Sequence, residues 1–70
     1  MKVGIGNRIK QAREELSINQ TEFGKCCGVS RQTVSSIERG EYQPSIGVAL
    51  KMAKILNRPV EELFWLEEEQ

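Results

Sequence analysis

The stretch Gln20 to Gly40, QTEFGKCCGVSRQTVSSIERG, decides how this chain folds. Two short helices fit inside it. The first runs from Gln20 to Cys27: Asn19 and Glu22, three positions apart, form a capping pair, and Phe23 and Cys27 share one face at i, i+4. Gly28, free to take positive φ, ends it. The second runs from Arg31 to Arg39, with Ser30 as its N-cap, Val34 and Ile37 turned inward, and Gly40 as its stop. A link as short as Gly28-Val29-Ser30 forces the helices to cross sharply. A sharp crossing needs a small residue where the backbones approach, and Gly24 supplies it. Arg31, Gln32, Ser35, Ser36 and Arg39 are left on the outer face of the second helix.

Further helical windows flank this pair. Upstream, Ile5, Ile9, Ala12 and Leu16 fall on one face and predict a helix from Asn7 to Leu16 with Asn7 as cap. Downstream, Ser45 caps a helix from Ile46 to Leu56 whose apolar face comprises Ile46, Leu50, Met52, Ala53 and Leu56. Pro59 opens a fifth helix with Val60, Leu63 and Phe64 inward. Periodicity leaves open whether residues 65–70 prolong that helix or run extended. No alternating apolar run or cluster of β-branched residues predicts a strand. The expected architecture is all-α: five short helices in one compact domain spanning 1–70.

Composition narrows the chemistry. Seventy residues, 39% of them apolar, make one small core and leave little room for a deep site of convergent catalytic groups. There is no His and no Asp, which removes the commonest general base and metal ligand. Gly4 and Gly6 open a glycine-rich stretch, but no predicted strand precedes them as a phosphate loop requires. Neither an enzyme nor a cofactor is expected. The adjacent Cys26 and Cys27 are poor partners for one disulfide and lack further metal ligands; Cys27 falls in a core slot and Cys26 at the surface. No apolar run reaches the roughly 20 residues needed to cross a bilayer, and no signal-peptide pattern is present, so a cytoplasmic chain with no membrane partner is expected. Net charge is zero, which at first argues against a nucleic-acid partner. The charges are unevenly divided, however. Residues 1–40 hold seven bases against four acids, a net of +3, and residues 41–70 hold three against six, a net of −3. The excess base lies with the Gln20–Gly40 pair, where neutralising phosphate would need it.

A small residue, a glycine turn and two inward apolar residues on the second helix make the helix-turn-helix pattern, here about residues 20–39. Its outer face suits double-stranded DNA. Arg31 and Gln32 open the second helix, where side chains reach furthest into a major groove; Gln pairs bidentately with adenine and Arg with guanine. Ser36 lies one turn after Gln32, and Ser35 one turn after Arg31, so all four are candidate base-reading residues. Asn19, Gln20, Ser30, Thr33, Arg39 and Tyr42 suit phosphate oxygens and positioning. A merely solvated face is the plainer alternative, but no acid occurs from Ser30 to Ile37.

Asn19-Gln20, Val29-Ser30-Arg31-Gln32-Thr33, Ile37-Glu38-Arg39-Gly40 and Pro44-Ser45 together closely resemble the motif of the Cro/repressor-type (Xre-like) transcriptional regulators. The flanking helices extend that resemblance over nearly the whole chain. It implies a five-helix, lambda-repressor-like DNA-binding domain. It also implies that Glu38 pairs with Arg13 of the first helix as a structural ion pair, and that Gln20 braces Arg31. Three positions depart from the family pattern: Glu41 stands where lysine is common, Gly24 replaces the usual alanine, and Asn57-Arg58-Pro59 replaces a glycine-containing turn.

A domain this short reads only a few base pairs, so selectivity gives it a motive to dimerise. The expectation is a sequence-specific regulator, a repressor, bound as a homodimer to a pseudo-palindromic operator, with recognition helices roughly 34 Å apart. Leu63, Phe64, Trp65 and Leu66, within a 60–70 dimerisation segment, are the candidate interface, with Trp65 folding back on its own domain as the alternative. An antitoxin-like protein-interaction module on the same fold, binding a protein partner through its acidic C-terminal half, is the other function considered.

Overall fold

The computed structural model describes residues 2–69. In chain order it contains β1 (Lys2–Asn7), α1 (Ile9–Glu15), α2 (Gln20–Cys27), α3 (Arg31–Glu38), α4 (Ile46–Leu56), α5 (Val60–Leu63) and β2 (Phe64–Glu69).

Local chemistry explains the helix boundaries. Asn19 Oδ1 accepts from Glu22 N at 2.8 Å, Ser30 Oγ from Thr33 N at 3.1 Å and Ser45 Oγ from Val48 N at 3.2 Å, so α2, α3 and α4 each begin on a side-chain cap. Gly28 ends α2 at φ +77. The following Val29 N–H returns to Gly24 O at 2.9 Å, and this drives the turn directly over Gly24. A Cβ at Gly24 would stand 2.6 Å from Val29 O, a backbone atom that has little room to yield. Glycine at this crossing therefore lets the turn sit closer than an alanine would. Asn57 takes the left-handed conformation after α4 (φ 57), so the glycine-free turn closes with the other residue type that tolerates it.

The helices bury Ile9, Ala12, Phe23, Cys27, Val34, Ile37, Met52, Ala53, Leu56 and Leu63 in one core. Fully burying a large aliphatic or aromatic side chain contributes about 1.5–3 kcal/mol, so this cluster is the main source of stability. Burial also pushes the Cys27 thiol up to about 11, while Cys26 is exposed. Among the described residues, no helix is long and apolar enough to cross a membrane.

The structure corrects the sequence at both ends. The expectation of no strand fails: β1 and β2 pair antiparallel, Ile5 opposite Leu66 and Asn7 opposite Phe64. Residues 65–69 are therefore extended rather than helical, and Gln70 lies outside the described residues. Neither strand carries a clear alternating pattern, because two glycines dilute the first and a run of glutamates ends the second. The hairpin forms from chain termini that only the folded helices bring together. Ile5 accordingly belongs to β1 and not to the face of α1, and Leu16 is a largely exposed cap. Ile46 and Leu50 are also displaced from the expected core: they are 79% and 55% exposed, because α4 turns Met52, Ala53 and Leu56 inward.

Candidate nucleic-acid interface

The outer face of α3 is held by a buried ion pair. Glu38, its side chain 3% exposed, accepts from Arg13 Nε at 2.7 Å, Arg13 Nη2 at 3.3 Å and Gln20 Nε2 at 3.0 Å. Arg13 Nη1 adds a bond to Ile18 O at 2.8 Å. The hydrogen bond to Glu38 raises the Arg13 pKa above its ordinary value. Charges this buried are tolerated only when hydrogen-bonded, and here three elements, α1, α2 and α3, share the bonds. Gln20 thereby steadies Glu38 through its amide N–H, a partner that the resemblance did not imply.

A second brace comes from β1. Asn7 Nδ2 donates to Ile37 O at 2.9 Å, and Asn7 Oδ1 accepts from Ile9 N at 3.1 Å. The N-cap of α1 is Arg8 rather than the expected Asn7, which sits one residue earlier, accepts from the first helical N–H and ties the N-terminal strand to the end of α3. The sequence marked Asn7 as a cap but contained no signal for its long-range bond, which depends on the hairpin.

With α3 fixed, the candidate contact residues on and around it form two overlapping groups, Ser30 and Thr33 belonging to both. Ser30, Gln32, Thr33, Ser36 and Tyr42 line one shallow groove of about 250 Å3. Gln32 and Tyr42 are exposed there, Ser36 half-buried. Arg31 is exposed at the first turn of α3. The other group is internally engaged. Asn19 bonds Glu22 from both ends of its amide. Ser30 Oγ and Thr33 Oγ1 are 3.0 Å apart. Ser35 is half-buried and accepts from Arg39 Nη1, while Arg39 Nη2 donates to Glu41 Oε1 at 2.9 Å. Ser35 therefore supports Arg39 in this structure, and its own O–H remains a donor.

The expected dimer residues also divide. Leu63 is fully buried in the core and cannot line an interface in this fold. Phe64 is half-buried and packs against the same core. Trp65 lies across Gly6, its partner in the hairpin, with the Arg8 guanidinium 5.2 Å from its ring centroid, yet it remains 37% exposed. It folds back on its own chain, the alternative weighed above, and the cation–π contact adds to that packing. Leu66 is 65% exposed. The exposed apolar residues Ile46 and Leu50 were missed as surface because helical periodicity does not say which of two apolar stripes faces inward.

A family model described as helix-turn-helix matches residues 9–63. The chain is 44% identical over 63 residues to an uncharacterized HTH-type transcriptional regulator, YgzD, of Bacillus subtilis, covering 90% of this chain and 96% of that protein. An uncharacterized HTH-type transcriptional regulator of Archaeoglobus fulgidus is 38% identical over 63 residues, 90% of this chain and 89% of that one. Among solved structures, the P22 c2 repressor in complex with a synthetic operator superposes with a TM-score of 0.75 at 35% identity, over 77% of this chain and 82% of that one. A protein from Bacteroides fragilis described as DNA-binding superposes with a TM-score of 0.78 at 28% identity, over 87% and 98% of the two chains.

Proposed function

Because the chain belongs to the Cro/repressor-type (Xre-like) helix-turn-helix family of transcriptional regulators, not to an enzyme family, we propose that it binds double-stranded DNA through the outer face of α3 and represses transcription from a pseudo-palindromic operator. One observation carries the reading: Gln32 and Ser36 share a groove with Ser30, Thr33 and Tyr42 on a helix locked to the scaffold by the buried Glu38–Arg13 pair. Gln32 reads base edges and Ser36 leaves room beside it, while Arg31, free at the helix start, contacts a guanine or a phosphate. Thr33 and Tyr42 flank them toward the backbone. Asn19 and Ser30 act indirectly, by holding the N-termini of α2 and α3 in shape, and Gln20 acts by steadying Glu38. Similarity to a repressor solved on its operator supports the groove as the DNA-facing side.

A homodimer supplies the second half-site. Its contacts draw on the exposed apolar side chains Leu66, Ile46 and Leu50, with Trp65 contributing its open edge. Selection of binding sites from random duplex DNA, at stated salt, tests the whole proposal. The expected outcome is a two-fold symmetric motif with half-sites about one helical turn apart. A pool that enriches no motif refutes sequence-specific binding; an asymmetric single half-site refutes the dimer alone.

A further inference from the structure

Glu41 is the acid that follows the recognition helix, on the side expected to meet phosphate. Its place is set by the way α3 ends. Gly40 takes φ +76, its N–H bonds Ile37 O at 3.0 Å, and Glu41 N bonds Ser36 O at 3.0 Å. This closed turn fixes the Glu41 backbone one turn beyond Ser36 and directs its carboxylate onto Arg39 Nη2 at 2.9 Å. Arg39 is held from the other side by Ser35 Oγ. Both members of the ion pair face solvent, at 54% and 61% exposure. The hydrogen bond between them raises the Arg39 pKa and lowers that of Glu41, so both stay charged.

A guanidinium on this face would otherwise be a phosphate ligand. Its two bonds are instead made to a hydroxyl and a carboxylate of its own chain. We propose that Glu41 is a positioning residue that restrains DNA binding: its carboxylate stands in for a phosphate oxygen, so that Arg39 adds little to backbone attraction until a duplex displaces Glu41. The inference rests on the DNA-binding role of α3. An exposed ion pair is weak, so the restraint is easily overcome by a duplex already held through α3. It matters most for sequence-independent binding, which draws nearly all its free energy from phosphate neutralisation.

The test is binding of the full chain to a short duplex of random sequence across about 50–200 mM salt, for the parent, Glu41→Gln, and the double variant Arg39→Gln/Glu41→Gln. Thermal melts verify that each variant is folded. Glu41→Gln is expected to bind about two- to fivefold more tightly, with a plot of log K against log salt steeper by about 0.9, the signature of one added phosphate contact. The double variant, lacking the released guanidinium, is expected to return to the parent slope. An unchanged slope and affinity in Glu41→Gln, or weaker binding, overturns the role of Glu41 and leaves the DNA-binding assignment standing. No salt-dependent binding by the parent chain overturns that assignment and this inference with it.

Discussion

Glu38 shows how much one side chain does in a domain of this size. It is an acid on the helix assigned to DNA, and it avoids repelling phosphate by being buried against Arg13 and Gln20. Replacing it with glutamine removes the charge but leaves the Arg13 guanidinium buried and unpaired, which costs about 3–5 kcal/mol. A domain this small has a total stability of similar order. Glu38→Gln is therefore expected to lower the thermal midpoint by about 12 °C or more, measured by circular dichroism; an unchanged midpoint would make the pair dispensable. Gln32 belongs to the same scale but to a different economy of contacts. Nothing in the fold needs its exposed amide, so Gln32→Ala is expected to leave the melt unchanged. Against the selected operator it should cost about 1–3 kcal/mol and relax preference at one base pair per half-site. An equal loss on random and selected DNA would mean that Gln32 does not read sequence.

Among the elements, the hairpin changes the picture of α3 most. Two strands alone are marginal in water, so β1 and β2 depend on what they touch. Asn7 ties them to the end of α3, Arg8 N–H bonds Leu63 O at 3.0 Å, and Trp65 covers Gly6 under Arg8. A side chain at Gly6 would occupy the space of the indole. Gly6→Ala is expected to displace Trp65, and because the chain holds one Trp, its fluorescence reports the change directly. A red-shifted emission with an intact helical signal is the expected result; an unshifted spectrum would mean that the indole does not rest on Gly6. Helix boundaries from α2 to α4 were legible because caps and glycines act locally. The hairpin was not, because its pairing joins residues more than half the chain apart.

At the scale of the whole molecule, zero net charge conceals a basic N-terminal part and an acidic C-terminal one. For the proposed DNA-binding dimer this division predicts weak general attraction to DNA and a greater reliance on base contacts and on the second protomer. The exposed apolar surface open to the proposed second protomer differs from the one the sequence suggested, since Leu63 is core and Phe64 is half-buried, whereas Leu66, Ile46 and Leu50 are open. Leu66→Glu places a charge on that surface without touching the core. It is expected to shift the chain to monomer in sedimentation equilibrium and to weaken operator binding while melting remains cooperative. A parent chain that is already monomeric at micromolar concentration would refute the dimer.

What the sequence by itself determined is whatever short-range chemistry specifies. The caps at Asn19, Ser30 and Ser45, the turn at Gly28, the inward Val34 and Ile37, and the outward Arg31, Gln32 and Ser36 depend on neighbours within a few residues, and they suffice to identify the helix-turn-helix. The resemblance added the Arg13–Glu38 partnership. Tertiary structure alone decided the rest. It turned one stripe of α4 inward and left Ile46 and Leu50 outside, bonded the Gln20 amide to Glu38, and placed Glu41 on Arg39. It also made strands from glycine-rich and glutamate-rich termini. Each of these outcomes depends on which surfaces meet when helices pack, and that is set by the shape of the shared core rather than by the spacing of residues along any one segment.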